Sequence, residues 1–518
     1  MKLNNKRLLA TLCLPLIFVS CTCKNKDTQV AIQGDNLMRH VKVLSSDAFE
    51  GRAPASRGEQ MTIDYMTSEF KKLKVKPLFD NSFLQPVKLA TIETKPANLR
   101  VTGYQFDNSY QYGPEVMLWT RRIQGSITLP PNDLVFVGYG INAPEYNWND
   151  YANINVAGKT VLILINDPGF VTKNPAKFKG SAMTYYGRWT YKFEEAARQG
   201  AAAAIIIHNT APASYPWEVV ESSWSGKQFH LAGAQPITPV MVEGWLHYDA
   251  ASELLAQSGL NLAQQEQIAA QAQYRAKLLP LKVSTKLQNT IDYSTSNNIG
   301  AKIVGTEKPD ELVLYVAHWD HLGIKPVLAG EEEADNIYNG AMDNATGTGA
   351  LIELARVFKN GQPPKRSIGF LAVTAEESGL IGSAEYTNNP LEDLFAEVAK
   401  TQNRTLTPED TPEKGYFYRS DHFNFAKKGV PALYAEGGTT HRDKGSDYIT
   451  KLKETYIANH YHKPSDEIND DWNVQGMVED VQLYHLLGDK LAQNTKLWPQ
   501  WYDGNEFKKI REASLRGR

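Results

Sequence analysis

Apolar residues recur at helical spacing in two stretches near the start of the chain, Met38–Leu44 and Gln60–Leu73. A Gly/Pro-rich turn, FEGRAPASRG, separates them. Short alternating runs such as LRVTGYQF follow and predict strands. From Asp133 the pattern changes to compact apolar runs, DLVFVGYGI, GKTVLILIND and AAAAIIIHN. The first two read as buried strands, and YKFEEAARQG, ahead of the third, reads as a helix stopped by Gly200. Residues 250–275 are polar and rich in Ala and Gln, which predicts a further helix. After 295 strand and helix patterns alternate through NNIGAKIVG, ELVLYVAHWD, ALIELARVF and SIGFLAVTAEE. That alternation predicts an α/β fold. The changes of texture divide the chain into a discontinuous α/β domain, 35–130 plus 295–500, an inserted β-rich module at 131–294, and a tail at 501–518.

The first 20 residues follow a different rule. Lys2, Lys6 and Arg7 precede an apolar run, Leu8–Val19, that is short for a membrane span and fits the core of a signal peptide. Ser20 then precedes Cys21, and FVSC resembles a bacterial lipobox, in which Cys21 becomes the lipid-modified first residue of the mature chain. Residues 21–34 read as a polar tether. The expectation is an exported lipoprotein on the periplasmic or cell-surface side, touching the membrane through its N-terminal lipid alone. The charge balance, 58 acidic against 55 basic residues, gives no reason to expect a nucleic-acid partner. All three cysteines, Cys13, Cys21 and Cys23, lie within the first 23 residues, so any metal site further on must be built from His, Asp and Glu.

Candidates for that chemistry fall between 315 and 467. The strand ELVLYVA runs into His318-Trp319-Asp320-His321. Residues two apart on a strand share a face, so Asp320 can accept the second ring proton of a metal-binding His318. In YNGAMDNATGTG, turn residues place Asp343 just before a helix, where a carboxylate can cap the helix or bridge two cations. The buried strand SIGFLAVT ends in Glu376-Glu377. Adjacent carboxylates there repel, and make sense if a cation neutralises Glu377 while Glu376 handles protons as a general base. His462 lies in a loop stiffened by Pro464 and flanked by Asp466 and Glu467, with Tyr461 beside it. Ser420, Asp421 and His422 precede a further apolar strand and read as supporting or substrate-pocket groups, and Arg419 can clamp a carboxylate.

Taken in order, AHWDHLG, NGAMDNATG, AEESGLIGS, RSDHFNFAKKGVPA and YHKPSDE resemble the zinc exopeptidases of the aminopeptidase Y and aminopeptidase S type, relatives of glutamate carboxypeptidase. The resemblance covers 295–470 and more weakly 40–90. It implies a three-layer domain, a mixed sheet with helices on both faces, while the inserted module looks like a protease-associated domain. It further implies zinc ligands at His318, Asp343, Glu377 and His462, with Asp343 bridging two metals. Glu376 would be the base, Asp320 the orienter of His318, and Tyr461 a donor to the oxyanion. The implied substrate is a peptide cut beside its free N-terminus.

One element of the pattern is missing. The family carries a fifth ligand, an Asp on a strand between the Glu-Glu and SDH elements, but here GSAEYTNNPL runs directly into EDLFAEVAKTQNR. Leu391–Glu392 reads as the join left by a deletion, with Asp393 the nearest substitute. Asp343, Glu377 and His462 still make a complete set for one zinc, whereas a second metal would keep only His318 and one oxygen of Asp343. Three readings stay open: a single-zinc aminopeptidase, a catalytically impaired or non-catalytic peptide-binding relative, and a single-zinc glutaminyl cyclase. Oligomeric state leaves no trace in the sequence.

Overall fold

The computed structural model describes residues 30–233, 237–324, 335–385, 398–407, 411–435, 437–470, 472–497, 499–501 and 505–516. Cys21 with the leader, and the join at Leu391–Glu392 with Asp393, lie outside the described residues.

The strand Arg366–Val373 is buried at every position, so it is apolar throughout rather than alternating. Ile368, Phe370 and Ala372 face a core supplied by the helices Gly34–Leu44, Arg57–Lys72, Thr346–Asn360 and Val474–Gln493. Leu371 and Val373 face the opposite way, onto Leu78, Phe425, Val430 and Ala432. Helices therefore flank both faces of a mixed sheet. On one side the strand pairs in parallel with Lys308–His318, in a register that ends with His318 opposite Val373. On the other it pairs antiparallel with Ile299–Ile303. The helix Thr346–Asn360 makes the crossover that two parallel neighbours require. His318, the loop before that helix, and Thr374–Glu377 consequently all emerge at the C-terminal ends of the parallel pair, where open α/β sheets place their ligands.

The strand Lys277–Ile303 has 27 residues and belongs to two layers. Asn289–Ile299 pairs with Leu84–Thr94 in the layer just described, and Leu281–Ser284 pairs with Leu99–Gly103 in a second one. That second layer continues through Ser126–Phe136, Thr160–Leu164, Ala203–Ile207 and Val242–Leu246, all parallel, to an antiparallel edge at Val116–Trp119. Pairing links thirteen of the described strands into one sheet. The second layer thus takes in strands from Leu99 onward, ahead of the boundary at 131 expected from texture. Alternation reveals that 99–119 is extended, but its partners at Leu281–Ser284 and Val242–Leu246 lie far along the chain. The polar stretch 250–275 forms two helices rather than one, Tyr248–Ala256 and Leu262–Ala269, with Gly259 at φ 69° in the turn between them.

Another expected element is not a strand. After the helix His422–Lys427, residues 430–435 carry the apolar pattern but join no ladder. Among the described residues, Lys308–His318 pairs with Arg366–Val373 alone. A cavity of about 440 Å³ lies between Leu312–His318 and Ala432–Ala435. An apolar sequence becomes a strand only where a neighbour offers hydrogen bonds, and here open space takes that place.

Candidate metal centre

His318 is held at the end of its strand with Nδ1 3.1 Å from the backbone carbonyl of Asp320. The Asp320 carboxylate, expected to orient the imidazole, stands 3.9 Å away and instead accepts the Glu376 N–H at 3.1 Å. The chain leaves the sheet at His318, so the two-residue alternation of a strand stops applying to Asp320. Asp343 lies between two imidazoles, its Oδ1 3.2 Å from His318 Nε2 and its Oδ2 3.3 Å from His462 Nε2. Glu377 Oε2 is 3.1 Å from His462 Nε2, and Glu376 Oε2 is 3.9 Å from His318 Nε2. All five residues expected to ligate metal or move protons converge on one centre.

The donor set fits zinc. Bonds of roughly 2.0–2.2 Å at tetrahedral angles separate neighbouring ligand atoms by roughly 3.3–3.6 Å. The contacts at 3.1 and 3.3 Å among His462, Glu377 and Asp343 are close to that spacing. His462 Nε2 is buried and has no hydrogen-bond partner despite both contacts, because neither carboxylate meets it along a hydrogen-bonding direction. A nitrogen that faces two carboxylate oxygens without bonding either is placed to share a cation with them.

Electrostatics favour the same occupant. Asp320, Asp343, Glu376, Glu377 and Asp421 crowd the centre. Burial, aided by the charges of Asp421, Glu377 and Asp343, pushes Glu376 well above the usual carboxylate range against the pull of His318. Burial, aided by the charge of Glu377 and for Asp320 also of Asp421, sends Asp320 up to about 7 and Asp421 up to about 6 against the pull of His318. Burial would raise Glu377 too, as does Asp343, yet contacts with His321 and His462 bring it down to about 2. His318 and His462 likewise hold Asp343 well below its ordinary value against burial. Burial lowers His462, but Asp343 and Glu377 outweigh it and raise the imidazole to about 10. A dication would neutralise this excess of negative charge.

The remaining expected groups sit around the centre. Tyr461 stacks on His462 with ring centroids 3.9 Å apart. Ser420, Asp421 and His422 line the cavity that opens beside His318. Three further residues support the centre in roles that the sequence does not show. His321 places Nδ1 2.6 Å from Glu377 Oε1, and its carboxylate-facing ring belongs to a second possible donor trio with Asp343 and Glu377. Arg52, from the Gly/Pro-rich turn, is buried and donates to the carbonyls of Leu44, Trp319, Asn339 and Gly340, tying the loops under the site together. Asp466 accepts the N–H groups of Met342 and Asp343, each at 3.1 Å, and so fixes the loop that carries Asp343.

Residues 298–393 and 384–486 match peptidase family M28. The matched span runs from 298 to 486. It contains every residue of the centre. Aminopeptidase NAALADL1 of Mus musculus is 31% identical over 144 residues, which is 25% of this chain and 17% of the mouse protein. Aminopeptidase YwaD of Bacillus subtilis (strain 168) is 32% identical over 108 residues, 21% of each chain. The chain thus spans about a fifth of the length of these relatives. A solved aminopeptidase from Aneurinibacillus sp. strain AM-1 superposes with TM-score 0.49 and 18% identity, over 91% of this chain and 97% of that one.

Proposed function

We propose that the protein is a zinc aminopeptidase that releases N-terminal residues from peptides. One observation carries the proposal: His462 Nε2 is 3.1 Å from a Glu377 oxygen and 3.3 Å from an Asp343 oxygen, and Glu377 also closes two donor trios, with His318 and Glu376 and with His321 and Asp343. The names of the M28 relatives support an aminopeptidase specifically. The missing fifth ligand supports one tightly held zinc; His318, 3.2 Å from Asp343 Oδ1, also forms a donor trio with Glu376 and Glu377. The M28 match is also in two pieces that overlap at 384–393, in keeping with a segment lost near Leu391–Glu392. Lipid attachment at Cys21 and a protease-associated identity for the inserted module belong to the same proposal. So does an exported, membrane-anchored location.

Zinc in this trio supplies Lewis-acid polarisation of the scissile carbonyl and acidifies the attacking water. Glu376 takes the proton of that water on its carboxylate and passes it to the leaving amine. A cation held by His462, Glu377 and Asp343 would lower Glu376 from its raised value and leave it ionised for that task. Asp320 accepts the Glu376 N–H and sets where the base stands. The Tyr461 phenol, pushed up by burial and by Asp343, Glu377 and Glu376, stays protonated and able to donate to a developing oxyanion.

Metal analysis should return about one zinc per chain, and the protein should release the chromophore from an aminoacyl-anilide. Glu376→Gln should keep the zinc and lose about 10²–10⁴-fold in kcat. Full activity in that variant rejects Glu376 as base. Absence of both zinc and hydrolysis rejects the enzyme reading.

A further inference from the structure

Every residue from Leu312 to His318 lines the cavity beside the metal centre. A strand that offered one of its faces would contribute every second residue, so an unbroken run means that the edge of the sheet, and with it the backbone, forms the wall. Among the described residues that strand has its ladder to Arg366–Val373 and no other. A parallel ladder engages the N–H and C=O groups of alternate residues, so the others within Val313–Ala317 turn theirs toward the cavity. The opposite wall is again an unbroken run, Ala432–Ala435, and it joins no ladder. Leu351, Leu354 and Val481 close one face of the space, and Phe425 closes the other. An aliphatic guest would fill such a space but leave the backbone groups of both walls buried and unpaired. An extended peptide brings apolar side chains for the two faces and a backbone for the two edges.

The cavity is continuous with the metal centre. His318 belongs to both, and Ser420 and Asp421 line the same end. Glu376 Oε2 stands 3.9 Å from His318 Nε2, so this end is acidic while the rest of the space is apolar. An N-terminal ammonium complements that end.

We propose that the cavity is a slot for the substrate, in which a peptide with apolar residues behind its N-terminus lies as an added strand, antiparallel to Lys308–His318. The direction rests on the peptidase reading, because the cleaved end has to meet the metal centre and the remaining chain trails away from His318. Val313–Ala317 then faces a stretch of about five residues of the peptide, at one residue per residue of strand. The substrates favoured are therefore extended apolar peptides rather than dipeptides.

Calorimetric titration of the zinc-loaded, full-length Glu376→Gln protein tests this with LV amide, LVAVAV amide and LSGSGS amide. LVAVAV amide should bind about 10- to 100-fold more tightly than either of the others, the worth of two or three net hydrogen bonds with their apolar contacts. N-methylation removes backbone donors and leaves the side chains in place. Of two LVAVAV amides methylated at alternate nitrogens, one at even and one at odd positions, at least one should return to within about threefold of LV amide. Acetylating the N-terminus of LVAVAV amide should weaken binding about tenfold, and no loss overturns the direction. Ala350→Phe, which fills the slot from the helix Thr346–Asn360, should erase the advantage of the longer peptide. Equal binding of all three peptides, an advantage that both methylated peptides keep, or no binding of any, overturns the slot and needs no cavity variant to read. Anilide turnover by the unsubstituted protein reports separately on the peptidase reading. A protein with the expected length and methylation dependence but no turnover keeps the slot and rejects that reading.

Discussion

Asp466 shows how much of the centre depends on residues that touch no reactant. Its carboxylate accepts from Met342 N, Asp343 N and the Tyr456 hydroxyl, while its own carbonyl accepts from Ala341 N. Removing those acceptors frees the Asp343 loop to turn both bridging oxygens away from the imidazoles. Asp466→Ala should weaken zinc binding about 10- to 100-fold, measured by competition with a chromophoric chelator. An unchanged affinity would mean that the loop holds its shape without the clamp. In the sequence Asp466 is simply an acid near His462, because the hydrogen bonds that define it cross more than 120 residues. His318, Asp343, Glu376, Glu377 and His462 are legible because each sits on a local signal: a strand end, a turn before a helix, or a paired acid after an apolar run. His321 is hidden by that same logic. Alternation would send it to the opposite face from His318, but the strand ends at His318 and the chain turns it back toward Glu377.

At the scale of elements, most of the layer that carries the metal centre follows from periodicity. The runs around Met38–Leu44 and Gln60–Leu73 become the helices Gly34–Leu44 and Arg57–Lys72, and SIGFLAV becomes a strand buried on both faces. What periodicity cannot supply is the partner. Residues 430–435 have a strand's pattern with no ladder to join, and 99–119, beyond its local hairpin of Leu99–Gly103 with Phe106–Tyr110, pairs with strands that no local window contains. Packing of the first helix carries a pH signature. His40 is 2% exposed, with Nδ1 2.8 Å from the Tyr65 hydroxyl, and burial together with Arg39 lowers it to about 4. The unfolded imidazole, at about 6.5, binds a proton that the folded one refuses, so stability falls as pH drops from about 6.5 toward 4. Near pH 5 the loss from this residue should be about 2 kcal/mol. Urea unfolding at pH 7.5 and 5.0 should show a gap smaller by that amount in His40→Gln. The same gap in both proteins would count against the buried neutral imidazole.

For the molecule as a whole, the metal should act on folding as well as chemistry. Carboxylates gathered for a cation repel one another without it, and a ligand that binds only the folded chain stabilises it by mass action. Zinc at about 1,000 times its dissociation constant should add on the order of 4 kcal/mol, seen as a higher unfolding midpoint that a chelator reverses. A midpoint indifferent to zinc and chelator would argue against a high-affinity centre. The inserted module, finally, shares more than a surface with the layer that carries the metal centre. One unbroken ribbon, Lys277–Ile303, is stitched into both layers. A load on the module is therefore carried along continuous backbone to the ledge beneath His318, with no slack tether to absorb it. Module and body are cast in a single piece, and a swivel of one must bend the other.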